Sequence, residues 1–236
     1  MNLKKIDYKK LKKKVDKDGY HIISSFLTSK KVNKILSSLR KEFNFKKDIR
    51  KSGKYKPDMN DFQRLDIGDY SSSSRFARFF FKFPWNKNDI FHKVASETYD
   101  VRSKLCNYQI GLWDRIHKNS HAKKKNKTKK FCYSYLIQYP VGGGFMSCHR
   151  EYYSKNKRGN IYVVYVLLTT KGKDFKSGGA YIIKNKKLIM IEDKAKAGDL
   201  LIYKGSNYHG VKSIDNDKNL NLKKINGRII FTPVMN

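Results

Sequence analysis

The segment Ala197-Gly198-Asp199-Leu200-Leu201-Ile202-Tyr203 reads as a glycine turn feeding a short apolar strand. Gly205 then separates it from Tyr208-His209-Gly210-Val211, where a second strand opens. Turn and short strand alternate in this way throughout the C-terminal half. Working outward, strands are expected at 131–139, 146–151, 161–169, 180–183, 188–191, 200–203, 209–214 and 228–233. Pro140 with Gly142-Gly143-Gly144, Gly159-Asn160, Gly178-Gly179 and Asn185 mark turns between them. Eight short strands with no intervening helix predict a closed or double-sheet barrel of the jelly-roll type.

Toward the N-terminus the hydrophobic period lengthens. Tyr8, Leu11 and Val15 form an apolar stripe at helical spacing, which leaves the lysines of that helix on its solvated side. Tyr20-His21-Ile22-Ile23 reads as a short strand. From Thr28, a suitable N-cap, Val32, Ile35, Leu36, Leu39 and Phe43 repeat at helical spacing, and Ile90, Val94, Val101 and Leu105 mark another helix. Residues 46–74 are polar and poorly patterned, and 75–85 are aromatic and basic. The expected architecture is a single domain over 1–236, mainly β with flanking N-terminal helices. Residues 1–125 would be a helical and loop buttress covering the substrate, and 131–236 the barrel core.

The chain has 236 residues and a net charge of +33, yet aromatics make up 14% of it, so its charge does not mark it as disordered. The longest apolar run, Val163 to Leu168, falls far short of the roughly 18–20 residues that span a bilayer. The N-terminus lacks the apolar stretch of a secretory signal. Cys106, Cys132 and Cys148 are an odd number without zinc spacing, so a reducing cytoplasm is expected. The charge has two readings. It favours anionic partners, or it is the product of AT-rich codons, since Lys, Asn, Ile and Tyr are frequent everywhere.

Of six histidines, His21 and His92 read as structural. His117 and His121 are four apart but lack the glutamate of an HExxH helix, so no metal role is assigned to them. His149 and Glu151 stand at i and i+2 of an expected strand, with both side chains on one face. An imidazole and a carboxylate side by side occupy two adjacent positions of a metal, and His209, opening a later strand, would complete a 2-His-1-carboxylate triad. That triad leaves coordination positions open and suits non-haem Fe(II). Arg228 begins the last strand, where a guanidinium can clamp a carboxylate.

With His149-x-Glu151, then His209, then Arg228, the chain resembles the Fe(II)/2-oxoglutarate-dependent dioxygenases, whose fold is a double-stranded β-helix, a cupin-like jelly roll. Supporting matches are Gln138-Tyr139-Pro140-Val141-Gly142-Gly143, Ser177-Gly178-Gly179-Ala180-Tyr181 and the Ala197–Tyr203 segment. Asp18-Gly19-Tyr20-His21-Ile22-Ile23 followed by Phe26-Leu27 is similar to the opening of the phytanoyl-CoA dioxygenase branch; the Gly-Gly-Ala-Tyr segment is closer to the prolyl hydroxylase branch. The resemblance implies an enzyme with two cofactors, Fe(II) held by His149, Glu151 and His209, and 2-oxoglutarate clamped by Arg228. O2 would be consumed, a substrate C–H bond hydroxylated, and succinate and CO2 released. Because halogenating relatives lack the carboxylate, Glu151 favours hydroxylation.

The chain departs from the family pattern in three places. The acid is Glu151 where Asp is commoner, the loop 215–226 before Arg228 is long, and Ile230 stands where many relatives carry a serine that touches 2-oxoglutarate. Tyr135, expected on the strand beside the metal strand, is the candidate replacement. The expected substrate is a small molecule. Arg64, Arg75 and Arg78, in the region expected to fold over the barrel mouth, would suit its phosphate or carboxylate, or would serve equally as solvated surface arginines; Trp85 and Trp113 would line a pocket or fill the core. Nucleic-acid demethylases of the superfamily carry a second arginine where this chain has Val234, which argues against a nucleic-acid partner. The alternatives are an oxygenase acting on nucleic acid or protein and a catalytically inactive barrel that only binds.

Overall fold

The computed structural model describes residues 6–50, 61–70, 73–82, 90–106, 132–151 and 162–235. Helix α1 (Tyr8–Asp18) starts where the Asp7 carboxylate accepts from the Lys10 N–H. It stops at Gly19, whose φ of 85° costs a glycine little. Leu11 and Val15 of its stripe are buried, as the pattern predicts. Strand β1 (Tyr20–Ile23) follows, then α2 (Ser29–Glu42), capped by the Thr28 hydroxyl on the Lys31 N–H. Next come β2 (Ile49–Arg50), β3 (Phe62–Gly68), β4 (Arg75–Lys82) and α3 (Ile90–Cys106).

Strand β3 corrects the reading of residues 46–74 as poorly patterned, and β4 occupies the aromatic, basic stretch that follows. Their pattern is hidden because polar side chains here are paired and buried. Gln63 Nε2 donates to the Asn44 carbonyl and, at 2.9 Å, to the Asp48 carboxylate; Arg78, fully buried, also engages Asp48.

The eight strands expected in the C-terminal half are all present, with no end shifted by more than two residues. They are β5 (Cys132–Tyr139), β6 (Gly144–His149), β7 (Tyr162–Leu167), β8 (Gly179–Lys184), β9 (Lys187–Met190), β10 (Leu200–Lys204), β11 (Tyr208–Ile214) and β12 (Arg228–Met235). The sheet runs β1-β10-β7-β12-β5-β4-β6-β11-β8-β9, with β3 paired to β4 and β2 to β3. Strand β4 carries the sheet around its corner. One edge pairs with β3 along its length, while the other pairs first with β6 at Arg75 and Phe76, then with β5 from Arg78 to Lys82.

Alternation divides the side chains between two cores. Outward from β10, β7 and β12, Leu200, Ile202, Val164, Val166, Ile229 and Phe231 pack under Val15, Ile35, Leu39, Val94 and Val101 of the helices. Inward, Leu201, Tyr165, Leu167, Ile230, Ile137 and Tyr139 meet Ala180, Ile182 and Val211 across the barrel. Strands covered on both faces show continuous apolar runs, which is why these were legible.

The long loop 215–226 is pinned. Arg78 Nη2 donates to the Leu222 carbonyl at 2.9 Å, and Gln138 Nε2 to those of Lys224 and Asn226 at 3.2 and 2.9 Å. Gly227 (φ 81°) ends it, where a Cβ would meet the Tyr139 carbonyl at 2.4 Å. Arg228 therefore enters β12 directly opposite Tyr139 despite the loop's length.

Candidate metal centre

His209 on β11 is the cross-strand partner of His149, the last residue of β6. Glu151 lies beyond the strand end, its N–H donating to the Gly205 carbonyl. One ligand atom from each of the three side chains lies within 4.8 Å of the others; His209 Nε2 stands 4.0 Å from Glu151 Oε1, and the imidazole centroids are 4.3 Å apart. Among the described residues this is the one such group.

A regular pleat would not assemble it. Met146 lines the inner cavity opposite Val211, so strict alternation would send Cys148 inward and His149 outward. The ladder instead pairs His209 with His149 and Val211 with Met146, three steps along β6 against two along β11. This bulge leaves Cys148 exposed and returns His149 to the cavity. The expectation of one regular strand over 146–151 is corrected accordingly: Glu151 reaches the site from beyond the bulge and the strand end.

Backbone carbonyls orient both imidazoles. His149 Nδ1 lies 2.8 Å from the Ser147 carbonyl and His209 Nδ1 2.8 Å from that of Asn207. Each Nδ1 donates, which leaves each Nε2 lone pair for a cation. Burial chiefly, and His149 next, push the His209 pKa down to about 4 against the opposing Asn207 hydrogen bond, so this imidazole is neutral and able to ligate. Glu151, its side chain 40% exposed, is the outermost of the three.

The group opens into a cavity of about 540 Å³ also lined by Tyr135, Tyr139, Tyr165, Tyr203, Arg228 and Ile230. Tyr135 is in place on its inner wall, but β4 separates β5 from β6, so it does not stand on the strand beside His149. Burial, and secondarily the Glu151 carboxylate, hold the Tyr203 phenol protonated well above its ordinary pKa.

Arg228 lines the cavity with its charge already answered. Its Nε donates to both oxygens of Glu192 at 2.9 and 2.8 Å, and Nη2 donates to Oε1. Glu192 also accepts from the Tyr165 hydroxyl at 2.9 Å and the Ala180 N–H at 3.2 Å. The guanidinium lies 4.8 Å from the Tyr139 ring and 5.4 Å from that of Tyr165. Nη1 is buried and without a hydrogen bond among the described residues, which leaves it for a ligand. Glu192 was missed; its one signal is an acid placed directly after the apolar run Leu188 to Ile191.

The three arginines do not act as one group. Arg78 points to the outer face and is neither surface nor pocket: Asp48, Gln138 and the Leu222 carbonyl surround it. Arg64 and Arg75 stand on strands rather than loops, line the cavity, and share Asp66. His21 and His92 do not line it. Trp85, Trp113, His117, His121 and the lysine run 123–130 lie outside the described residues.

No family model matches the chain, and no curated protein matches it in sequence. Its fold has clear likenesses. A prolyl-4-hydroxylase from Pseudomonas putida superposes with a TM-score of 0.58 at 12% identity, covering 97% of both chains. A prolyl hydroxylase from Trichoplax adhaerens, in complex with a hypoxia inducible factor peptide fragment, gives 0.56 at 14% identity over 100% of this chain and 93% of that one. The non-haem alpha-ketoglutarate-dependent epimerase SnoN from nogalamycin biosynthesis gives 0.53 at 10% identity, over 96% and 82%. The architecture is thus the jelly roll of the 2-oxoglutarate–Fe(II) oxygenases.

Proposed function

We propose that this chain is an Fe(II)- and 2-oxoglutarate-dependent oxygenase that hydroxylates a C–H bond of a small molecule. The observation that carries this reading is the convergence of two imidazoles and one carboxylate in the cavity of an oxygenase jelly roll. The donor set fits Fe(II): two neutral nitrogens and one oxyanion, with coordination positions left open. Iron with 2-oxoglutarate and O2 would supply the oxidising chemistry, releasing succinate and CO2.

The chain's own contribution is geometric and electrostatic. His149 and His209 offer Nε2, fixed by their Nδ1 hydrogen bonds, and Glu151 closes the triad with negative charge. Arg228 would meet the distal carboxylate of 2-oxoglutarate through Nη1, with Tyr135 on the same wall. Burial among the aromatic lining keeps the Tyr165 and Tyr203 phenols protonated. A cavity of about 540 Å³ suits a small molecule. A peptide substrate is the second reading, supported by the peptide-bound neighbour. Free thiols at Cys106 and Cys148 agree with a cytoplasmic setting.

Anaerobic addition of Fe(II) and 2-oxoglutarate should produce the visible charge-transfer absorption of the chelate. Succinate release should then rise with small anionic metabolites rather than peptides. A chain that holds no divalent ion would be a barrel without this activity.

A further inference from the structure

We propose that Arg64 and Arg75 form an anion subsite of the same cavity, holding a phosphate or carboxylate carried by the substrate. This rests on the oxygenase reading and names its substrate class. The placement follows from the pleat. Arg75 opposes Met146 of β6, and Arg64 opposes Phe79, so both project to the inner face of the β3–β4 corner. There they line the cavity that holds His149, Glu151 and His209.

The charge balance points the same way. Arg64 Nη2 and Arg75 Nε lie 3.0 and 2.7 Å from the same Asp66 oxygen, and Asp66 is fully buried. Two guanidiniums thus share one carboxylate among the described residues. Arg228 is matched by Glu192 and Glu151 belongs to the triad, so the remaining charge of the cavity wall is the positive excess at Arg64 and Arg75. The pair is also braced: Arg75 lies 3.9 Å over the Tyr70 ring, and Arg64 lies 5.3 and 5.2 Å over Phe79 and Phe81. Guanidiniums held by aromatic faces, with donors left over, are suited to planar or tetrahedral oxyanions.

The test uses the full chain loaded with Mn(II) and saturated with 2-oxoglutarate. Paramagnetic relaxation of inorganic phosphate (³¹P) and of acetate (¹³C) reports anions near the triad. Whichever probe is relaxed more strongly identifies phosphate or carboxylate. Arg64→Gln with Arg75→Gln should weaken binding of that probe about tenfold or more, the loss expected for charge-assisted hydrogen bonds. Asp66→Asn, which releases both guanidiniums, should tighten it; a purely structural role would not. Lys9→Gln with Lys10→Gln controls for the basic surface and should change nothing.

Equal relaxation in all variants overturns the subsite. So does displacement of the probe by 2-oxoglutarate, which would give the arginines to the co-substrate. Mn(II) binding, read separately by electron paramagnetic resonance, tests the oxygenase reading. If it fails, calorimetric titration of the metal-free variants with phosphate still decides whether the anion site exists.

Discussion

At the scale of single residues, the site depends on side chains fixed by neighbours that a sequence does not mark. Each imidazole of the candidate metal group spends one nitrogen on a carbonyl two residues back, so the other has one direction left. His149→Ala or His209→Ala should therefore abolish stoichiometric Mn(II) binding, read by electron paramagnetic resonance, with the circular dichroism of the barrel unchanged. Glu151→Ala should retain more metal and still lose hydroxylation. Glu192 makes a second residue-scale prediction. Its carboxylate neutralises Arg228 inside the cavity, both side chains being 1% exposed. Glu192→Gln should lower the KM for 2-oxoglutarate, because the guanidinium no longer answers an internal anion. Arg228→Ala should instead leave Glu192 buried without its cation, costing about 3–5 kcal/mol in urea unfolding. An unchanged KM in Glu192→Gln would mean that the ion pair and the co-substrate do not compete.

Elements hold these residues through irregularities in the ladder. The β6 bulge sets the phase of His149, and Asp215 ties the end of β11 to the segment that precedes β8. Asp215 itself sits at a positive φ of 42°, while its Oδ1 accepts from the Lys176 and Ser177 N–H groups at 2.8 and 2.7 Å and its Oδ2 meets Lys218. Burial raises its pKa, but these donors outweigh burial and leave it below the ordinary value. A carboxyl lowered in the folded state contributes stability above its unfolded pKa and loses it as pH falls through the folded one. The stability difference between wild type and Asp215→Asn, from urea midpoints, should be largest near neutrality and close as pH drops below the usual carboxylate range. A difference that is constant with pH would remove Asp215 from the acid response.

Across the whole molecule, charge and chemistry are spatially separate. No helix among the described residues is long and apolar enough to cross a membrane. The lysines of α1 are largely exposed, while the cavity pairs Arg228 with Glu192 and both Arg64 and Arg75 with Asp66. If the +33 charge reflects codon composition, duplex DNA should bind only at low ionic strength and come off by physiological salt, since such binding depends on counterion release. A filter-binding titration against salt reads this directly. Sequence-selective binding that survives would restore a nucleic-acid substrate.

The amino-acid pattern alone was enough for the jelly roll, the three helices and the identity of the candidate metal group. Strands buried on both faces must be apolar in runs, turns must carry glycine, and a metal triad needs its residue types whatever the surroundings. Strands β3 and β4, the bulge in β6, the corner at Asp66 and the Arg228–Glu192 pair came only with the tertiary structure. For β3, β4 and the Arg228–Glu192 pair the physical reason is the same. A buried polar side chain is stable because of a partner distant in sequence, as Asp48 is for Arg78, 30 residues away, and Glu192 for Arg228, 36 away. Local periodicity records which face a residue takes, but not what waits there to meet its charge.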